Sequence, residues 1–264
     1  MATPFPQFSK KWYFFGLPSV RPTENTYESF DYEALPPLNT EKLDGSLQWL
    51  QAIATSPQRR YLNLPPEMAA WQKGRKKSKE LPQSFLEKWS KKWSTIEQQA
   101  SMRKLVLPSS FITAMQHPEW LNVIDSPTDC FFELDENGFI DLKDREGECL
   151  LHFYSDSQYC LLWYLHFDSF GKHRVVVSKN SWFQHLHTHT FLPHPEVDVD
   201  EDIEKMISEI EAGSHTFLCE CAPDFESFLY RVWIEGDIYY AMSKLYKGQE
   251  LTPEQKEYLH FYEE

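Results

Sequence analysis

The clearest period in the chain is helical and lies in residues 82 to 104, where Phe85, Trp89, Trp93, Ile96 and Ala100 recur at three- and four-residue steps. Lys88, Lys91 and Lys92 fall off that stripe, so the segment reads as an amphipathic helix with a basic side. Leu43, Leu47, Leu50 and Ile53/Ala54 predict an earlier helix from about Glu41, ended by Ser56-Pro57. A short helix is expected from Leu107 to Met115, entered through Pro108. Beyond it the pattern becomes that of strands. Cys130 to Leu134, Phe139 to Leu142, Glu148 to Tyr154, Tyr159 to Phe167 and His173 to Ser178 are apolar runs separated by short turn sequences such as Asp-Glu-Asn-Gly. Connections this short join antiparallel neighbours, so the runs predict a meander. Tyr159 to Leu165 is apolar at both alternating positions, which marks an interior strand covered on both faces. Ile203, Met206/Ile207 and Ile210 predict a covering helix over residues 200 to 212. A further strand, Thr216 to Cys221, leads into a helix from Pro223 to Ile234, and Thr252-Pro253-Glu254-Gln255 has the pattern of a capping box opening a last helix through Tyr262.

Residues 1 to 40 show neither period. They alternate aromatics with prolines and read as an extended arm that wraps over a folded surface, since its rings are costly to leave in water. Over the whole chain, 41% apolar and 16% aromatic residues suffice for a substantial core. Nine glycines include no GxGxxG or GxxxxGK[ST] motif, so phosphate-cradling loops of those kinds are not expected. No segment has signal-peptide or membrane-span character, and five cysteines, an odd number, suit reduced thiols. These features predict a soluble cytoplasmic protein that binds no membrane.

Charge divides the chain. Residues 1 to 104 hold 16 Lys/Arg against 10 Asp/Glu, whereas residues 105 to 264 hold 10 against 30. The expected organisation follows this boundary: an arm (1 to 40), a basic helical extension (41 to 104) and an acidic domain (105 to 264). The basic run Lys73 to Lys79 beside Trp71, Trp89 and Trp93 raises the alternative of a nucleic-acid or membrane adaptor working through residues 71 to 104. Against it, an attached acidic domain weakens polyanion binding, so nucleic acid is not the expected partner. The basic extension is expected to dock on its acidic neighbour, leaving an acidic surface for a basic protein.

Three features resemble the SUKH superfamily over about three fifths of the chain. They are the entry Leu107-Pro108-Ser109-Ser110-Phe111, the aromatic meander Glu148 to Ser178 with its acidic break at Asp156, and the closing segment Phe217 to Leu229, extended by Tyr230-Arg231-Val232-Trp233-Ile234-Glu235. The chain departs from the family pattern at Gln116 to Asn122, where an Asn-Gly-Gly-like turn is usual, and at Ser155 to Gln158. The resemblance implies an α+β domain with a twisted, mostly antiparallel sheet flanked by helices. It also implies action by binding other proteins, as immunity and regulatory members do, the partner being a basic client such as a toxin domain.

The carboxylates offered to such a client are Asp156 and Asp168 in turns of the meander, and Asp198, Asp200 and Asp202 in the acidic run. That run alternates like a calcium loop, but Ile203 stands where the sixth-position glycine belongs, so it reads as a helix start. His185, His187 and His189 share one side of an extended segment and form the alternative, a metal-dependent enzyme or metal-binding site. No cupin-type Glu follows at the required spacing, and a polar loop is the simpler reading. Cys219 and Cys221 have no second pair at zinc-ribbon spacing, and GxSxG and HExxH are both missing. No catalytic residue and no cofactor are therefore expected.

Overall fold

The computed structural model describes residues 8–56, 81–142, 145–178, 218–243 and 250–263. The fold is α+β. Strands β1 (Ser9–Phe14), β2 (Glu28–Asp31), β3 (Phe131–Phe132), β4 (Phe139–Asp141), β5 (Cys149–Ser155), β6 (Leu162–Phe167), β7 (His173–Ser178) and β8 (Leu218–Ala222) form one sheet. Its order is β2-β1-β8-β7-β6-β5-β3, with β4 also paired to β5. Among the described residues every strand pairing is antiparallel except β1 with β8.

From β4 to β7 the meander forms as its turn chemistry predicts, but across Asp-Glu-Asn-Gly β3 and β4 do not pair with each other: both lie along β5, Phe131–Phe132 against Tyr154–Ser155 and Phe139–Asp141 against Cys149–Leu151. The arm does more than wrap. Its Ser9 and Lys10 pair in parallel with Cys219 and Glu220 of β8, and residues 11 to 14 pair with β2, which returns beside β1 to make the sheet edge. Strand β1 escaped the sequence pattern because Trp12, Tyr13 and Phe14 are all buried, so the sheet's two-residue alternation leaves no polar mark there.

Among the described residues the α-helices are α1 (Gln48–Thr55), α2 (Gln83–Arg103), α3 (Ser109–Gln116), α4 (Pro118–Leu121), α5 (Phe225–Met242) and α6 (Pro253–His260). The helix expected from Glu41 starts later. Asp44 Oδ1 accepts from the amide and hydroxyl of Ser46, and Gly45 sits at φ 87°, so this turn breaks the helical run before Leu47. Helix α2 keeps its predicted span and ends where Lys104 turns left-handed, its N–H bonded to the Ala100 and Ser101 carbonyls. Helix α6 carries the predicted capping box between Thr252 and Gln255. Helix α5 runs beyond Ile234 to Met242, with Asp224 accepting from Ser227 N at its start. No described helix is long and apolar enough to cross a membrane.

Alternation along the strands sorts the core. Trp163, Leu165 and Phe167 on β6 and Val175 and Val177 on β7 face one cluster, while Leu162, Tyr164 and Val176 face a second. Every residue of β6 is buried, as expected of an interior strand. The helix expected over residues 200 to 212 lies outside the described residues. In the first cluster Phe228 lies 5.4 Å from Phe153 and 5.8 Å from Trp12, centroid to centroid. A register shift in β5 between His152 and Tyr154 puts Phe153 and Tyr154 together in this cluster. Trp12, Leu50, Trp93, Phe153, Phe228 and Tyr258 all belong to it. The charge boundary near Leu105 is thus not a boundary in packing.

Buried charge ties the arm to both C-terminal helices. Glu235 of α5 accepts two hydrogen bonds from the Arg21 guanidinium (2.7 and 2.9 Å), one from Trp12 Nε1 (2.9 Å) and one from the Tyr258 hydroxyl (2.6 Å). Arg231 donates to Tyr258 and to the Pro36 carbonyl. Burial works to lower the Arg21 pKa, but the Glu235 carboxylate outweighs it and the net shift is upward.

Helix α2 grips the β3–β4 turn. Gln99 donates to the Asn137 carbonyl and accepts from Phe139 N, and Arg103 makes a two-armed pair with Asp141. Gly138, at φ 75°, lets the Gln99 amide lie against the turn, because a Cβ there would collide with it. Trp89 and Trp93 are buried, Trp89 donating to the Met115 carbonyl. These two rings pack in the core and do not offer themselves for base stacking.

Candidate functional site

Strands β5 and β6 bring the turn at residues 156 to 161 to the same end of the sheet as β3. The loops around residues 15 to 27 and 125 to 130 reach this end too. The Tyr27 hydroxyl lies 3.4 Å from Cys130 Sγ and 3.5 Å from the Thr128 carbonyl. A cavity of about 430 Å³ opens between these loops, walled by Phe15, Pro18, Pro22, Asn25, Thr128 and Tyr239 among others. Helix α5 ends here, at Met242, so its negative dipole end adds to the local potential.

Asp156 organises the turn from within. It is only 2% exposed; Oδ1 accepts from Leu161 N at 2.8 Å, Oδ2 accepts from Gln158 N, and its carbonyl accepts from Tyr159 N. These bonds hold Tyr159 at φ 57°, a left-handed conformation that a bulky side chain rarely adopts. The ring is thereby turned outward, 42% exposed, against the 36% exposed Phe131 of β3. The two rings meet edge to face, with centroids 6.0 Å apart.

Beneath them lies a polar cluster. Ser155 Oγ donates to Glu133 Oε1 at 2.5 Å and lies 2.8 Å from His152 Nε2, which also contacts the Tyr154 carbonyl. Burial lowers the His152 pKa, outweighing the opposite pull of Glu133 and Asp135. The Tyr159 phenol is pushed up by partial burial and then by the adjoining Glu133 carboxylate. A serine, a histidine and a glutamate thus come together, but not in the order of a nucleophilic relay. The acid bonds the serine hydroxyl while the same histidine nitrogen faces both, and Ser155 has no exposed surface. Burial pushes the Cys130 thiol up, which suits a structural cysteine.

The surroundings are acidic. In the segment that leads into and out of β3, residues 125 to 136 carry Asp125, Asp129, Glu133, Asp135 and Glu136 and no Lys or Arg. Lys92 of α2 lies at the flank, where its ammonium donates to the Leu134 carbonyl.

The carboxylates singled out in the sequence do not assemble. Asp168 closes the β6–β7 turn, where Oδ1 accepts from Phe170 N and Lys172 N. It therefore sits at the opposite end of β6 from Asp156, about 20 Å away for a six-residue strand. Asp198, Asp200 and Asp202, and the histidines His185, His187 and His189, lie outside the described residues. Among the described residues no three His, Cys, Asp or Glu side chains are grouped to hold a metal ion.

Sequence reasoning passed over Phe131, Glu133 and Tyr159. The available signal was Ser-Asp-Ser-Gln before Tyr159, because an Asp side chain that bonds its own backbone two residues on makes a turn. Reading it so starts the strand at Leu162 and leaves Tyr159 in the loop. No protein-family model matches the chain, no curated protein is significantly similar to it, and no solved structure matches it.

Proposed function

We propose that the chain is a non-catalytic protein-binding domain that takes a basic client protein at the loop end of its sheet, in the manner of immunity or regulatory proteins. The observation that carries this reading is the exposed Phe131–Tyr159 pair set among carboxylates. Aromatic side chains dominate the energetics of protein interfaces, and an acidic surround speeds association with basic partners and rejects acidic ones. The SUKH-like segments at Leu107 to Phe111 and Phe217 to Leu229 support the same class by resemblance.

The test is capture from the source cell with tagged protein, followed by titration of the purified client. A basic client is expected, bound with an affinity that falls as salt rises from about 50 to 300 mM. For an immunity-type role, one equivalent of the domain also suppresses the client's activity. A client of acidic composition, or one bound independently of salt, would overturn the reading.

A further inference from the structure

We infer that Phe131, Tyr159 and Glu133 form a receptor for one guanidinium, an arginine side chain that the client presents. This rests on the protein-binding reading above and names the contact through which it acts.

The protein's handling of its own arginines points to this ligand. The Arg21 guanidinium lies 4.1 Å from the Phe30 ring centre and pairs with Glu235. Arg103 lies 5.5 Å from the Phe139 ring centre and pairs with Asp141. Arg145 lies 4.4 Å from the Phe8 ring centre, and its Nε is 3.5 Å from Glu148. Three times, then, the fold seats a guanidinium between an aromatic ring and a carboxylate. At the loop end the same parts stand together, two exposed rings and the Glu133 carboxylate, and among the described residues no cation lies over either ring. Lys92, at the flank, is engaged with the Leu134 carbonyl.

Arginine fits better than lysine. Its guanidinium is planar, weakly hydrated and able to stack on a ring while its N–H fork meets a carboxylate; an ammonium is a compact, strongly hydrated point charge. The carboxylates of the surround supply the long-range attraction, and the ring pair with Glu133 supplies the choice between the two cations. An anionic membrane or a nucleic acid would meet the same carboxylates as repulsion.

The probes are three capped peptides of alternating glycine with arginine, lysine or citrulline, titrated calorimetrically at low salt into the full chain. The arginine peptide is expected to bind most tightly and the citrulline peptide not at all. Tyr159→Ala and Glu133→Gln should each weaken the arginine peptide by about fivefold to tenfold and erase its advantage over lysine. Asp168→Asn, at the far end of β6, should leave both unchanged. Tyr159→Phe should retain binding because it keeps the ring, and Tyr159→Gly should lose it in a chain that folds at least as well, since glycine suits the left-handed backbone. The inference falls if the arginine peptide binds Tyr159→Gly and Glu133→Gln within about twofold of the parent, or if lysine is bound equally well. A client whose salt-sensitive binding ignores both substitutions removes the arginine receptor and leaves the protein-binding role. A chain that binds neither cationic peptide and captures no basic client removes both.

Discussion

Glu235 and Glu133 are two glutamates set among aromatic rings and hydroxyl donors, with opposite surroundings. Around Glu235 the chain supplies everything: Arg21, Trp12 and Tyr258 saturate a carboxylate that is fully buried. Around Glu133 it supplies a serine hydroxyl and two exposed rings. The difference teaches that burial decides what such a set of parts does. Enclosed, the cation is covalently part of the molecule and the set holds the fold; open, the set is available to a cation from elsewhere.

The largest test breaks the closed set. Glu235→Ala strands Arg21 in a buried site, and removal of one member of such a pair costs about 3–5 kcal/mol. Chemical denaturation should show that loss, with detachment of the N-terminal strands seen as lost amide protection at residues 9 to 14. A variant of unchanged stability would deny that the buried network fastens the arm.

At the open end a smaller effect is expected from pH. His152 is buried in its neutral form with its pKa lowered, under the opposing influences of Glu133 and Asp135, which raise it, and of Lys92, which lowers it further. Between that lowered value and the ordinary value of 6.5 the unfolded chain binds more protons than the folded one. Stability should therefore fall as pH drops below about 6.5, and His152→Asn should flatten the urea-midpoint profile between pH 7 and pH 5. An unaltered slope would show that His152 does not carry it.

Tyr159→Gly sharpens the comparison by changing sign. Releasing a bulky residue from φ 57° should raise stability by about 0.5–1 kcal/mol, offset in part by the lost contact with Phe131. A rise in melting temperature together with weaker client binding would show that the strained tyrosine serves recognition and not the fold. The smallest effect belongs to Arg103→Ala. Here ring, arginine and carboxylate recur with Asp141 70% exposed, so the loss should stay below about 1 kcal/mol in thermal melts. A loss as large as that at Glu235 would contradict the primacy of burial.

Much of the architecture was legible because local patterns agreed with the final packing. The α2 stripe, the Thr252–Gln255 box and the turns between β5, β6 and β7 needed no distant partner to be recognised. Strand β1 was illegible because its buried aromatics carry no alternation and one of its two partners, β8, is distant in sequence. The candidate site was half legible. Asp156 stood out as a carboxylate, yet its bonds to Leu161 and Gln158 make it the scaffold of the turn. The exposed groups beside it, Phe131 and Tyr159, are adjacent only through the pairing of β3 with β5 and the following turn, which composition does not reveal.

The parallel pairing of β1 with β8 also bears on how the protein is made. Ser9 meets Cys219 across 210 positions of sequence. A ribosome adding about 5–20 residues per second takes on the order of 10–40 s to cover that distance. For that time the arm has neither β8 nor helix α5, whose Phe228 and Tyr239 meet the rings of Trp12 and Phe15. Completion of the sheet waits on the synthesis of β8, and until then the arm is open to a chaperone.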